Sequence, residues 1–160
     1  MLKPAAAKKP KVRPVIGWRE WIAFPELGID AVKAKIDTGA RTSSLHAFDI
    51  KAFKRRGKRF VRFKVHPLQR RASETVECTA PVVDQRIIRS SSGHEQMRFV
   101  ISTVIRINDE TWPIELTLTS RDTMGFRMLL GRQAIRGRFL VNPGRSFLFG
   151  RRDAKAVRTR

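Results

Sequence analysis

A chain of 160 residues with 41% apolar side chains has the size and composition of one globular domain with a substantial core, and a formal charge of +20 directs it towards anionic partners. No apolar run reaches the roughly 20 residues of a membrane helix, and the opening residues, from Met1 to Pro10, lack the apolar stretch of a secretory signal. The single cysteine, Cys78, excludes an intrachain disulfide framework, so a soluble protein of the reducing cytoplasm with no membrane partner is expected.

Residues 1–14 carry a charge of +5 in a Lys-, Pro- and Ala-rich sequence with little to bury, and are expected to form a disordered basic arm. Residues 151–160, at +4, are expected to form a second one. The domain between them, 15–150, keeps +11. Nucleic acid, a ribosomal surface or an acidic polypeptide would each answer that charge, the first two through the arms.

Inside those limits the chain reads as β. Residues 16–24 predict a first strand stopped by Pro25. In residues 31–36, Val32, Ala34 and Ile36 alternate with Lys33 and Lys35, the period of a half-buried strand. It ends at Asp37-Thr38-Gly39-Ala40, where the chain must turn tightly. Strands are predicted at 42–46, 48–53 and 60–65, the last two a hairpin bent at Gly57. Shorter ones follow at 74–78 and 82–88, separated by Pro81. The small polar stretch 89–94 turns the chain into a long strand at 97–107, and Asn108-Asp109-Glu110 makes the next turn. Residues 112–119 alternate cleanly. A helix is predicted only at 132–136, and strands at 139–141 and 146–149, joined through Asn142-Pro143-Gly144, close the domain. So many strands with one short helix predict a small closed barrel or a sandwich.

Asp-Thr-Gly alone is weak evidence, since an Asp at a strand-to-turn junction is ordinary turn chemistry. A second segment adds weight. Met128-Leu129-Leu130-Gly131-Arg132, an apolar pair and a glycine ahead of the one helix, follows some ninety residues later. Together the two resemble the retropepsin-like aspartic proteases, and the barrel is then expected to be of that type. In that family the Asp-Thr-Gly turn and the later apolar–apolar–Gly segment pack together beneath the active site. The resemblance assigns Asp37 as catalytic acid, Thr38 as a brace between paired turns, Gly39 as the residue aiming its amide at the carboxylates, and Ser90 to Gly93 as the flap tip. The stretch from Ala34 to Ala47, with Arg86 to Gly93, Leu116 to Arg121 and Leu129 to Arg132, is also similar to a bacterial family labelled ATP-dependent zinc protease. Its members accompany, or are fused to, RimK-type ATP-grasp ligases, which add glutamates to a ribosomal protein.

The label and the retropepsin reading imply different chemistry. Zinc catalysis needs about three converging ligands, and His46, His66, His94 and Cys78 show no ligand spacing, so no metal is expected. No phosphate-binding Gly-rich loop opens a helix, and no cofactor is expected. Aspartic chemistry needs two carboxylates sharing one proton. Asp122-Thr123-Met124-Gly125 is interrupted by Met124 and reads as a turn, so the second carboxylate is expected from another copy of Asp37 in a homodimer. Arg41 stands where retroviral members carry an acid. Pointing inward it would lower the apparent pKa of the carboxylates, and on the surface it would not.

The leading expectation is a homodimeric aspartic endopeptidase acting on acidic or glutamate-tailed, ribosome-associated proteins, with a RimK-type ligase as partner. The alternatives are a non-catalytic nucleic-acid- or ribosome-binding barrel and, third, a zinc peptidase. The run from Lys51 to Lys64 holds eight basic residues interleaved with Phe53, Phe60 and Phe63. It reads as core phenylalanines with solvated lysines in preference to a nucleic-acid platform.

Overall fold

The computed structural model describes residues 12–67, 74–89, 93–120 and 125–150. It is mainly β, with a closed barrel of six strands and one short helix. The strands are β1 (Val15–Ile16), β2 (Arg19–Phe24), β3 (Ile29–Asp37), β4 (Ser43–His46), β5 (Phe48–Arg55), β6 (Lys58–Val65), β7 (Val76–Arg89), β8 (Glu95–Ile107), β9 (Glu110–Thr119), β10 (Met128–Gly131) and β11 (Leu140–Val141). Helix α1 covers Arg132–Ile135, one residue short of the predicted span.

The barrel follows the order β2-β3-β10-β4-β9-β8 and closes through a β2–β8 pairing at Ala23 and Arg106. Closure removes the free edges that a sheet of this size would otherwise expose. Strand β7 continues the sheet beyond β8, followed by β6 and β5. Alternation fills the interior: Val32, Ala34 and Ile36 of β3 point inward as predicted, opposite Ile101 and Ile105 of β8 and Leu116 and Leu118 of β9 in one contiguous core. Each fully buried Ile, Leu or Phe contributes about 1.5–3 kcal/mol relative to exposure, and Phe24 and Phe63 are the largest of them.

Three predicted elements differ. The first strand is split into β1 and β2 at Gly17. A Cβ there would lie 2.1 Å from the Arg145 carbonyl oxygen, the acceptor for the Trp18 N–H at 2.8 Å. Strands predicted at 74–78 and 82–88 are one strand, β7, passing straight through Pro81. Up to Pro81 it pairs with β6, and from Val82 with β8, with a bulge between Val82 and Asp84. The proline stands where the strand changes partners, so its missing N–H costs no ladder bond.

The third difference is at 139–149. Only Leu140–Val141 is strand, and it pairs in parallel with β1, Val15 opposite Leu140, instead of turning back on itself. Residues 146–149 are irregular because Phe147 has φ +52°, outside the β region, and the Leu148 N–H is taken by the buried Glu20 carboxylate at 3.2 Å. The same oxygen, Oε2, accepts the Gly17 N–H at 2.7 Å. Phe147 stacks on Trp21 with ring centres 5.6 Å apart. The two basic arms lie outside the described residues except for Val12, Arg13 and Pro14, whose last carbonyl accepts the Leu140 N–H at 3.0 Å.

Candidate active site

The strands flanking the Asp37 turn are not neighbours. Strand β10 lies between them, parallel to β3 with Gly131 opposite Asp37, and antiparallel to β4 with Leu129 opposite Ser44. Residues 37–42 must therefore arch over the end of β10. The arch fits because residue 131 is a glycine: a Cβ there would meet the Thr42 carbonyl oxygen at 2.4 Å and its carbon at 2.5 Å. No side chain larger than hydrogen is compatible with that approach.

Polar contacts fix the arch from within and below. Oδ1 of Asp37 accepts the N–H groups of Gly39 at 3.1 Å and Ala40 at 3.2 Å, so the carboxylate is aimed by the backbone of its own turn. The Asp37 carbonyl also accepts the Ala40 N–H at 3.2 Å. From below, Gly131 donates its N–H to the buried Ser43 Oγ at 3.0 Å. Arg132 donates its backbone N–H to the Ala40 carbonyl at 2.7 Å, and Gln133 donates to the Arg41 carbonyl at 3.1 Å. Nη1 of Arg132 reaches the Thr38 carbonyl at 3.1 Å. Asp37 and Ala40 are half-buried, whereas Thr38, Gly39 and Arg41 are exposed.

Both sequence motifs therefore meet at one place, with Leu130 in the core and Leu129 half-buried beside it. Arg41 faces solvent, and no ion pair joins it to Asp37 among the described residues. Residues 84–89 of β7 pair antiparallel with 95–100 of β8, with Ile87 opposite Met97 and both exposed. Gln96 Nε2 ties it to Ser120 Oγ at 2.6 Å. Gly93 has φ +85°, while Ser90, Ser91, Ser92 and Asp122 lie outside the described residues.

The histidines and the cysteine stay apart. Nδ1 of His46 contacts Arg127 at 3.3 Å, and Nδ1 of His66 contacts Thr75 at 3.2 Å. His94 sits exposed beside Gly93. Cys78 is buried, and burial, with the Glu77 charge adding, pushes its thiol up to about 12, so it stays protonated near neutral pH. Among the described residues no three of His, Cys, Asp or Glu come together. A cleft of about 380 Å³ lies behind the arch, lined by Thr42, Ser43, Trp112 and Glu115 but not by Asp37.

Sequence reasoning passed over Ser43 and Thr42 as parts of the site. The signal was present: a small hydroxyl residue immediately after the arch, at the start of a strand, suits an acceptor for an otherwise unpaired buried amide.

A carboxylate held by the amides of an Asp-Thr-Gly turn, arched over an apolar–apolar–Gly strand in a closed six-stranded barrel, defines the retropepsin-like class of fold. Within that class, residues 15–152 match the RimB-like family, described as retropepsin-like aspartic endopeptidase RimB, and the chain belongs to that family. It is 53% identical over 129 residues to a protein of Desulfotalea psychrophila named probable alpha-L-glutamate ligase, covering 81% of this chain and 28% of that one. Proteins of the same name from Shewanella pealeana and Parasynechococcus marenigrum are 50% and 49% identical over 136 residues, 85% of this chain and 30% and 29% of theirs. The chain thus spans less than a third of the length of these curated relatives. Among solved structures, a Legionella pneumophila protein of unknown function (DUF785) superposes with a TM-score of 0.71 at 26% identity, covering 86% of this chain and 98% of the other.

Proposed function

We propose that residues 15–150 form an aspartic endopeptidase domain in which Asp37 is the catalytic carboxylate and a second copy of the chain supplies its counterpart. The observation that carries this reading is the Asp37 carboxylate, half-buried and pinned by the Gly39 and Ala40 amides above Gly131. No hydrogen bond links Asp37 to a second acid among the described residues, and aspartic chemistry needs two carboxylates sharing one proton. A two-fold axis brings one from each copy.

In that dyad the ionised carboxylate takes a proton from a water whose oxygen attacks the scissile carbonyl carbon. The neutral carboxyl gives its proton to the carbonyl oxygen. The tetrahedral gem-diol then collapses: one of its hydroxyls returns a proton to the ionised carboxylate as the C–N bond breaks, and the protonated carboxyl gives its proton to the leaving nitrogen, restoring the singly protonated dyad. Thr38, exposed in the single chain, braces the paired turns. The hairpin bearing Ser90, Ser91, Ser92 and Gly93 is the flap, and its exposed Ile87 and Met97 meet the substrate. Leu129, Leu130, Gly131 and Arg132 hold the arch from below. Arg41, exposed in the single chain, is the cation nearest in sequence to the dyad and the proposed modulator of its charge.

The substrate class follows from charge and relatives. A protein at +20 attracts acidic polypeptides, and the matched relatives are named glutamate ligases. The proposed substrate is a glutamate-bearing, ribosome-associated protein in the cytoplasm, with a RimK-type ATP-grasp ligase as partner and the basic arms, 1–14 and 151–160, adding polyanion attraction. Zinc chemistry draws no support from the described residues.

The test is hydrolysis of a glutamate-tailed peptide by the purified chain, followed by mass spectrometry alongside sedimentation analysis. Asp37→Asn should lower turnover about a thousandfold or more while the melting temperature and dimer fraction stay unchanged. Full turnover in that variant, or in a demonstrably monomeric protein, would sink the shared-carboxylate mechanism, whereas no hydrolysis by the native chain would favour the non-catalytic barrel.

A further inference from the structure

The β5–β6 hairpin stands apart from the barrel circuit, at the far end of the sheet. Its two faces differ. Val61, Phe63 and Val65 of β6 are fully buried. Phe60 is three residues from Phe63 and lies on the opposite face, where Phe53 is its cross-strand partner. Neither belongs to the core cluster, so the expectation that both were core residues is corrected.

That outer face is a ladder of three cross-strand pairs: Lys51 with Arg62, Phe53 with Phe60, and Arg55 with Lys58. The two rings stack, 5.8 Å apart and inclined by 20°. The Arg55 guanidinium lies 5.5 Å from the Phe53 ring centre and 5.8 Å from that of Phe60, and the Arg62 guanidinium lies 5.5 Å from Phe53. On β7 the face continues through Pro81, opposite Phe60. Lys54 and Arg59 form a fourth pair on the reverse side. Among the eight cations of this segment, Arg62 pairs with Glu77 at 3.6 Å and Lys64 with Asp49 at 3.3 Å. Lys51, Lys54, Arg55, Arg56, Lys58 and Arg59 are exposed, with no carboxylate in ion-pair contact among the described residues.

The bend adds to this. Arg56 and Gly57 both have positive φ, +52° and +77°, in a two-residue loop between the paired Arg55 and Lys58. Such turns favour Asn-Gly. An arginine accepts the left-handed backbone here and adds a cation at the tip.

From these observations we infer that the Phe53–Phe60 ladder is a binding surface for single-stranded nucleic acid, separate from the Asp37 site. Bases stack on the ring and guanidinium faces, and phosphates meet Lys51, Arg55, Arg56 and Lys58. An acidic polypeptide would use the cations but has no need of the stacked rings. The surface tethers the domain to its partner without entering the chemistry.

The test is fluorescence anisotropy of the full chain with a labelled mixed-sequence single-stranded RNA and with a polyglutamate peptide of the same charge, each over a salt series. Phe53→Leu/Phe60→Leu keeps an apolar cross-strand pair but removes the π-faces. It should weaken RNA binding about tenfold or more, leaving the polyglutamate affinity and the salt slope alone. Lys51→Gln/Arg55→Gln/Lys58→Gln keeps the rings and should flatten the log–log salt slope for RNA by about 2. Peptide hydrolysis should be unchanged in both, so failure here is distinct from failure of the peptidase reading. Unaltered RNA affinity in the folded leucine variant, or polyglutamate binding as tightly as RNA with the same losses, overturns the inference. Should the leucine pair unfold the hairpin, an unchanged salt slope in the glutamine variant overturns it equally.

Discussion

The chain makes two sharp turns within twenty residues of each other, and they are built on opposite principles. At Asp37 the backbone is clamped on all sides. Its carboxylate, its carbonyls and the strand beneath share hydrogen bonds with Gly39, Ala40, Gly131, Arg132 and Gln133. At Arg56-Gly57 nothing packs within 4 Å of where a Gly57 Cβ would stand, and the turn serves to project charge. One turn is defined by what it encloses and the other by what it presents. A reaction centre needs the first kind because a small misplacement is costly in rate, and a polyanion contact tolerates the second.

Substitutions at the glycines and at Ser43 expose that contrast. Gly131→Ala drives a methyl into the Thr42 backbone and should cost about 3 kcal/mol or more, read as a large fall in urea midpoint with loss of any peptidase activity. Ser43→Ala removes the acceptor of a buried amide and should cost about 1–3 kcal/mol. Its melting temperature should fall clearly and its activity more than its nucleic-acid affinity. Gly57→Ala meets no atoms, only the penalty of a left-handed backbone at φ +77°, about 1 kcal/mol. Its hydrogen-exchange protection should fall in β5 and β6 alone. If Gly57→Ala destabilised the barrel as much as Gly131→Ala, the two turns would not differ as described.

What could be read from the sequence follows the same division. The arch was legible because its constraints are local and chemical: alternation up to Ile36, an acid and a glycine at the bend, and a second glycine where no side chain fits. Alternation also held the answer for Phe60 and Phe63, since three residues of separation puts them on opposite faces of a strand. Strand period applied to the run as a whole assigns Phe53, Phe60 and Phe63 to the core without separating the two faces. Pro81 predicts a break because a proline in mid-strand lacks a donor. Only the change of partner from β6 to β8 shows that no donor was needed. At residues 146–149 the apolar run looked like a strand. What overrides it is distant, the Glu20 carboxylate and Trp21 ring more than a hundred residues away, and no local pattern carries that signal.

The insertion of β10 between β3 and β4 also sets an order of assembly. Asp37 leaves the ribosome long before Gly131, and until β10 arrives both flanking strands keep an open edge and the arch has nothing to rest on. Contacts of such sequence separation form late. The growing chain therefore carries its acid unassembled past every protein it meets during synthesis, and the Asp37 arch is complete only once the barrel has been sealed.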